Sequence, residues 1–235
     1  MGEDSCVLVT SQGGVASTSF IRALEKTMES SSFCINDDAD RDGFKHLPPT
    51  WYDHNSTHVW REMKRTNVVG HMHRVIVIVG DPIHTIESTY RRFGLKHIDK
   101  LMHGASLQKY PRDTTLLDIY QDIADTGTDT TSIVNYVTSW RDASLDTANW
   151  PDILLVTEHM LLNSALQYAR WIGVDEGDLH NFADMSFDPS LQHETTVSVG
   201  NEDLAYKVME VFKPVFELIY SLNNDELETE EEVTT

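Results

Sequence analysis

The sequence is poor in cysteine and in long apolar runs, and both absences narrow the class of protein. Two cysteines, Cys6 and Cys34, are too few for a disulfide framework or a zinc cluster. No apolar run approaches the ~20 residues of a membrane-spanning helix. The first residues, MGEDSC, lack the basic region of a signal peptide, and Cys6 stands where a myristoylation signal requires Ser or Thr. We therefore expect a cytoplasmic protein without a membrane anchor.

Basic residues are also scarce. The chain has 18 Lys and Arg against 38 Asp and Glu, a net charge of -20, which repels nucleic acids and anionic membranes. The charge is uneven: residues 1–112 hold 14 basic and 13 acidic residues (+1), whereas residues 113–235 hold 4 and 25 (-21). Twelve of the basic residues lie between Arg41 and Arg112. This part of the chain is suited to a small anionic ligand.

Short apolar runs alternate with helical patterns along the chain. The clearest run, RVIVIV at residues 74–79, has five consecutive β-branched residues, as in a strand buried on both faces of a parallel sheet. Similar strands are expected at residues 6–10 and 152–161, with a shorter one within residues 30–43. The pattern predicts an α/β fold in three layers with a central parallel sheet, and a ligand site at the carboxyl ends of its strands.

Helices are expected after each strand and at the end of the chain. A helical pattern at residues 204–222 predicts a closing helix that Pro214 kinks. We expect one domain over residues 1–222 and a flexible acidic tail over residues 223–235. The other predicted helices have the sequences FIRALEKTMES, HVWREMKR, IHTIESTYRRFGL, TTLLDIYQDIADTG, DTTSIVNYVTSWRDAS and LLNSALQYARWIG.

The turn after the first strand, SQGGVASTS, has the outline of a phosphate-binding loop. Ser17, Thr18 and Ser19 stand at the predicted start of a helix, where free N–H groups and the helix dipole favour an anion without any cationic side chain. The GxxxxGK[ST] pattern of nucleotide triphosphatases is not met, since the first lysine is Lys26. A plain glycine turn leading into a well-capped helix remains an alternative.

Three segments resemble, in order and spacing, landmarks of the sulfotransferases that use 3'-phosphoadenosine 5'-phosphosulfate (PAPS). CVLVTSQGGVASTSFIRAL resembles the 5'-phosphosulfate loop, and RVIVIVGDPIHTIESTYRRF resembles the strand and helix that hold the 3'-phosphate. DILLVTEHMLLNSALQYARWIGV resembles a later strand and helix of the family, in which Glu158 is taken as structural. The resemblance covers residues 6–174 and implies the P-loop NTPase-like architecture of that family.

The resemblance implies a set of cofactor-binding residues. The family's loop lysine falls near Val15, so its role is not filled there. At the end of the second strand the family has Arg-Asn-Pro, where this chain reads Gly80-Asp81-Pro82, so the arginine is also missing. The resemblance assigns binding of the 3'-phosphate to Ser88. Arg91, three residues later on the same helix, is inferred to supply the guanidinium. The residues assigned to binding of the 5'-phosphosulfate are Gly13, Gly14, Ala16, Ser17, Thr18 and Ser19.

The stretch FKHLPP at residues 44–49 resembles the family segment that carries the catalytic base. It implies that His46 accepts the proton of the acceptor hydroxyl and that Lys45 stabilises charge on the bridging oxygen. An ordinary loop histidine remains an alternative. The aromatic residues Trp51, Tyr52 and Trp60 are candidates for stacking on adenine or for packing.

No metal is expected, although eight of the 11 histidines lie between His46 and His103. The pairs His54 and His58, and His71 and His73, lack the glutamate or a further ligand at the spacing of known metal motifs. The predicted function is transfer of a sulfonate from PAPS to a hydroxyl or amine of a small-molecule or glycan acceptor, leaving PAP. Alternatives are a related protein that binds a nucleotide or partner without turnover, and a P-loop kinase, which the missing Gly-Lys-Thr disfavours. The sequence does not indicate an oligomeric state.

Overall fold

The computed structural model describes residues 5–13, 17–27, 33–36, 45–49, 72–96, 98, 109–182 and 201–232. Four strands form one sheet in which every neighbouring pair is parallel, in the order β2-β1-β3-β4. The strands are β1 (Ser5–Ser11), β2 (Phe33–Ile35), β3 (Met72–Val79) and β4 (Asp152–Thr157). The α/β class and the parallel sheet predicted from the sequence are confirmed.

The middle of the sheet is fully buried. Residues 7–9 of β1 and 75–79 of β3 have no exposed surface, which explains why both strands read as continuous apolar runs without alternation. The register places Val9 opposite Ile76, and Ile76 opposite Leu154. Val, Ile and Leu side chains from three strands therefore form the core of the sheet.

Seven α-helices and one 3-10 helix are present among the described residues. Several begin and end at residues with clear capping roles: Thr115 caps α3 in a capping box with Asp118, and Gly127 ends it with a φ of +61°. The helices are α1 (Ser17–Thr27), α2 (Pro82–Phe93), α3 (Leu116–Thr126), α4 (Ile133–Leu145), α5 (Glu158–Asn163), α6 (Ala165–Ile172), the 3-10 helix (Glu176–Phe182) and α7 (Glu202–Glu232).

The chain divides into two compact units. The first unit comprises Met1–Ser11, Val15–Val79 and Ser139–Pro189 and contains the whole sheet. In it, α1 packs against β1, β2 and the 3-10 helix. The rings of Phe20 and Phe182 lie 5.6 Å apart, between α1 and the 3-10 helix. Aromatic packing thus holds α1 in place, at the carboxyl end of β1.

The second unit comprises Gln12–Gly14, Gly80–Thr138 and Ser190–Thr235 and is mainly helical. Helix α7 packs against α3. Its buried residues Leu204, Val208, Phe212 and Val215 recur at helical spacing and form one apolar stripe. The hydroxyl of Tyr120 on α3 donates to Glu87 on α2 over 3.4 Å. Burial and the nearby Glu87 raise the pKa of Tyr120, so this bond persists as pH rises.

Most predicted helices and strands are present within a few residues of their predicted bounds, and three elements differ more strongly. The strand predicted to reach residue 161 ends at Thr157, because the Thr157 side chain accepts a hydrogen bond from the Met160 N–H and starts α5. The single helix predicted over residues 161–173 is two helices, with Ser164 between them. Helix α7 contains Pro214, as predicted, but it extends to Glu232, into the segment predicted as a flexible tail. The helix predicted for HVWREMKR lies outside the described residues.

Candidate functional site

The carboxyl ends of β1 and β3 mark the point where the strand order reverses. β1 connects forward to β2 on one side, and β3 lies on its other side. Ser11 at the end of β1 pairs with Ile78 near the end of β3. In open parallel sheets this reversal point is where ligands usually bind. The fold therefore locates a candidate site directly after Ser11.

The first turn of α1 lies at this position. Ser17 is buried, and its Oγ accepts a hydrogen bond of 3.0 Å from the Ser11 hydroxyl, while Thr18 is half-buried and Ser19 is exposed. The N–H groups of a helix's first turn have no acceptor within the helix, so they are available to an anion. The predicted cofactor-binding residues Gly14 and Ala16 lie outside the described residues.

Lys45 approaches the start of α1 from a separate segment. Its carbonyl accepts from the Ser11 N–H at 2.8 Å and from the Thr10 hydroxyl at 2.9 Å, which attaches residues 45–49 to the end of β1. The Lys45 Nζ donates to the Thr18 Oγ1 over 2.5 Å, and the residue is only 4% exposed. The structure thus brings together Lys45 and the predicted phosphate loop, 27 residues apart in the chain.

The electrostatics of this contact favour an anion. A helix N-terminus carries roughly +0.5 of an elementary charge, and the Lys45 ammonium adds a full positive charge beside it. Burial strengthens the field of both because little water screens them. A phosphate or sulfonate near the Thr18 hydroxyl would be attracted by both charges.

His46 is held in one orientation beside the same strand end. Its Nδ1 lies 2.8 Å from the Ser11 carbonyl oxygen, and a carbonyl can only accept, so Nδ1 carries the hydrogen. In the neutral ring the lone pair is then on Nε2. Trp140 supports the segment: its buried indole N–H donates to the Leu47 carbonyl over 3.1 Å. His46 therefore has the tautomer that a general base with a reactive Nε2 requires.

A second polar cluster joins the turn after β1 to the end of β3 within the second unit. The Gln12 Nε2 donates to the Gly80 carbonyl at 2.5 Å and to the Thr85 Oγ1 at 3.1 Å. Thr85 in turn donates to the Gly13 carbonyl at 3.0 Å, and Gly13 has a φ of +98°, which favours glycine. Gln12 and Thr85 were missed by sequence reasoning. The only local signal was a polar residue directly after a buried strand.

Helix α2 carries the residues that the resemblance assigns to the 3'-phosphate. Ser88 is 1% exposed, and its Oγ is buried with no hydrogen-bond partner among the described residues, whereas Arg91 is exposed. Asp81, at the position of the family's asparagine, caps α2 by accepting from the N–H groups of Ile83 and His84. Of these two residues, Arg91 is thus accessible to a ligand, whereas the Ser88 hydroxyl is covered by protein.

The described residues contain neither a metal-binding cluster nor a membrane-spanning helix. No group of three or more His, Cys, Asp or Glu side chains in this part of the chain is arranged to hold a metal ion. His54, His58 and His71 lie outside it, as do Trp51, Tyr52 and Trp60. Among the helices that are described, none combines the length and apolar character needed to cross a membrane.

Comparison with known proteins did not identify a related protein. No family model, no curated protein and no solved structure matches this chain. The resemblance to the PAPS-dependent sulfotransferases therefore depends on the sequence landmarks, and the structure contributes the geometry of the residues in them.

Proposed function

We propose that this chain is a divergent PAPS-dependent sulfotransferase, with the three-layer, P-loop NTPase-like arrangement of that family. It would transfer a sulfonate to a hydroxyl or amine of a small-molecule or glycan acceptor without a metal. The observation that carries the proposal is the contact between Lys45 and Thr18 at the start of α1. It supplies a cation to a loop from which the family's own lysine is missing.

The residues at the end of β1 fit the 5'-phosphosulfate end of PAPS. Ser17, Thr18 and the first-turn N–H groups offer donors, and the Lys45 ammonium offers charge for the bridging oxygen of the leaving phosphate. PAPS, when bound, supplies the activated sulfonate and a phosphate leaving group. The chain's contribution is placement and charge stabilisation.

His46 is assigned the role of general base. Its Nδ1–H is engaged by the Ser11 carbonyl, so Nε2 is the atom that takes the proton from the acceptor. Imidazole is the side chain that most often serves as a general base. His46 directly follows Lys45, so in this proposal one short segment would supply both proton removal and charge stabilisation.

The 3'-phosphate is assigned to helix α2 through Arg91, which is accessible to a ligand. Ser88 fits this role less well, because its hydroxyl is covered by protein and would need a local rearrangement to reach a phosphate. This part of the proposal follows from the resemblance.

A second candidate function is nucleotide binding without turnover. The absence of the strand-end arginine favours it, since Gly80 and Asp81 stand in that segment and the Asp81 carboxylate caps α2. Sulfonate transfer from labelled PAPS to a panel of hydroxyl and amine acceptors, together with calorimetric PAP binding, separates the two functions. PAP binding without transfer supports the binding protein. Stabilisation by ATP with Mg²⁺ but not by PAP would contradict sulfonate transfer from PAPS and favour a kinase.

Lys45→Met should weaken PAP binding by about tenfold or more, since a charge-assisted hydrogen bond contributes about 1.5–3 kcal/mol. Methionine has a similar length and fills the same space, so the fold should be kept. Calorimetry with PAP and thermal melting measure the two effects.

Lys45→Arg is the matched control because it keeps the charge, and it should lose less affinity than Lys45→Met. Equal PAP affinity of the wild type and Lys45→Met would remove Lys45 from the site. A large fall in melting temperature would instead give Lys45 a structural role.

A further inference from the structure

Helix α7 carries a second, largely apolar row outside its packed stripe. Tyr206 is 65% exposed, Met209 is 45% exposed and Tyr220 is 73% exposed. At 100° per residue all three side chains lie roughly 100° or more around the helix from Leu204 and Val208, which are buried. Large apolar side chains repeatedly exposed along one helix face are typical of an interaction surface.

The spacing of this outward row is that of a coiled-coil seam. The row consists of residues separated alternately by three and four positions: Tyr206, Met209, Lys213, Phe216 and Tyr220. Phe216 is half-buried and the other four are exposed. The 3-4 alternation keeps one narrow stripe facing a partner helix over successive turns. The row therefore fits a helix lying alongside α7 better than an irregular loop.

The charges next to the row indicate the chemistry of the partner. Glu210 and Glu217 are exposed and occupy equivalent flanking positions, each directly after an apolar residue of the row. Lys213 lies within the row itself, where a polar residue selects partner and register. A partner helix would need Lys or Arg along the flank that meets the glutamates, and a carboxylate opposite Lys213.

A second copy of this chain fits poorly. Antiparallel pairing of two α7 helices would bring Glu210 and Glu217 of one copy against the same glutamates of the other. Parallel pairing would direct each glutamate flank towards the side of α7 that carries Phe212, which is fully buried. The net charge of -20 on each chain adds long-range repulsion.

We propose that the outward row of α7 is a docking surface for a basic amphipathic helix of another protein. The apolar seam supplies the buried contact, and Glu210 and Glu217 select a positively charged partner. The surface lies entirely within the second unit, so its test is independent of sulfonate transfer.

Two designed peptides of about three heptads test the proposal. Both have leucine at the seam positions, and their flanks carry lysine in one and glutamate in the other. Fluorescence anisotropy should show binding of the lysine peptide only. The triple variant Tyr206→Gln, Met209→Gln and Tyr220→Gln should bind it at least about tenfold more weakly, because apolar anchors dominate such interfaces.

The charge reversal Glu210→Lys with Glu217→Lys should transfer the preference to the glutamate peptide. Leu145→Gln with Leu166→Gln is the matched control, since both leucines are exposed elsewhere, and it should bind like the wild type. Circular dichroism verifies that α7 remains helical in each variant. Equal binding of both peptides, or no effect of the triple variant, overturns the proposal. Self-association that the triple variant abolishes would assign the row to a second copy.

Discussion

At the scale of single residues, the position of Lys45 beside the start of α1 bears most directly on anion binding. Lys45 is 4% exposed and donates through Nζ to the Thr18 hydroxyl in the first turn of α1. A phosphate or sulfonate bound there would lie close to a basic side chain and to the positive end of the helix dipole. A basic side chain beside a helix N-terminus is suited to an anion site.

His46→Asn should lower kcat for sulfonate transfer by about 100-fold or more while PAP affinity changes little. The asparagine amide can still donate to the Ser11 carbonyl, as Nδ1 does over 2.8 Å, but it has no counterpart of Nε2. Transfer rates and calorimetric PAP binding provide the two readouts.

His159→Asn, at an exposed histidine of α5, is the control and should retain full activity. A parallel loss of turnover and PAP affinity in His46→Asn would make His46 a structural residue. Full activity of that variant would exclude it as the base.

Sequence reasoning reached some of these residues and not others, for a physical reason. The motif FKHLPP suggested Lys45 and His46 through resemblance alone, since nothing in their local pattern places them near Thr18. Gln12 and Thr85 are 73 positions apart, and their hydrogen bond exists only because β1 and β3 are neighbours. Periodicity reports which face of an element is buried, but not which distant side chain meets it.

At the scale of elements, α2 is attached to the turn after β1 by the Thr85 hydroxyl. Thr85→Val should lower the free energy of unfolding by about 1–3 kcal/mol, because the buried Gln12 Nε2 loses an acceptor and the Gly13 carbonyl loses a donor. Urea denaturation measures the loss. Thr89→Val makes the same chemical change one turn later on α2 and should cost less. Equal losses in both variants would contradict a specific role for Thr85.

Asp122 on α3 forms a polar cluster with Lys109 and Tyr110, at 2.6 Å from each. Burial alone would raise the pKa of Asp122, but hydrogen bonds from Lys109 and Tyr110 outweigh it and hold this pKa below its usual value. A carboxyl whose pKa is lowered by folding stabilises the protein above its unfolded pKa of about 4. That stabilisation is lost as pH falls through the lowered value.

Asp122→Asn should therefore be less stable than the wild type at pH 7, and the difference should shrink as pH falls below about 4. Urea midpoints across this range measure it, with Asp113→Asn, an exposed surface change, as the control. A difference that is constant with pH would show that the carboxylate charge of Asp122 does not contribute.

Elements were more predictable than residues because their signals are local. Five β-branched residues in a row identified β3, and the segment TTLLDIYQDIADTG was predicted as the helix that is α3. The end of β4 was misplaced because residues 158–161 are compatible with either a strand or a helix. The hydrogen bond from Met160 N–H to the Thr157 side chain decides between them.

At the scale of the whole molecule, charge is the dominant feature. A net charge of -20 over 235 residues means that the acidic residues repel one another. This repulsion is stronger in the compact folded state than in the expanded unfolded state, so it lowers stability. Its concentration in residues 113–235 leaves the half that contains Lys45 close to neutral. The distribution permits an anionic ligand at the end of β1 despite the overall sign.

Raising NaCl from about 20 mM to about 300 mM at pH 7 should raise the melting temperature, because salt shortens the Debye length and screens this repulsion. Differential scanning calorimetry measures the shift. The same change near the isoelectric point of about 4.7 should have a smaller effect, since little net charge remains. A melting temperature that falls with salt at pH 7 would show that attractive ion pairs outweigh the repulsion.

The 2-1-3-4 strand order has a consequence for how the chain acquires its shape during synthesis. Val7 of β1 pairs with Arg74 of β3, so the first strand leaves the ribosome long before its main neighbour exists. β3 in turn awaits β4, which ends at residue 157. Strands that are distant in the chain pair slowly, because the entropy cost of closing the long loop between them comes before their contacts stabilise the pair. The nascent chain therefore exposes the apolar strand β1 until β3 has been synthesised. During this time β1 is a potential binding site for a chaperone.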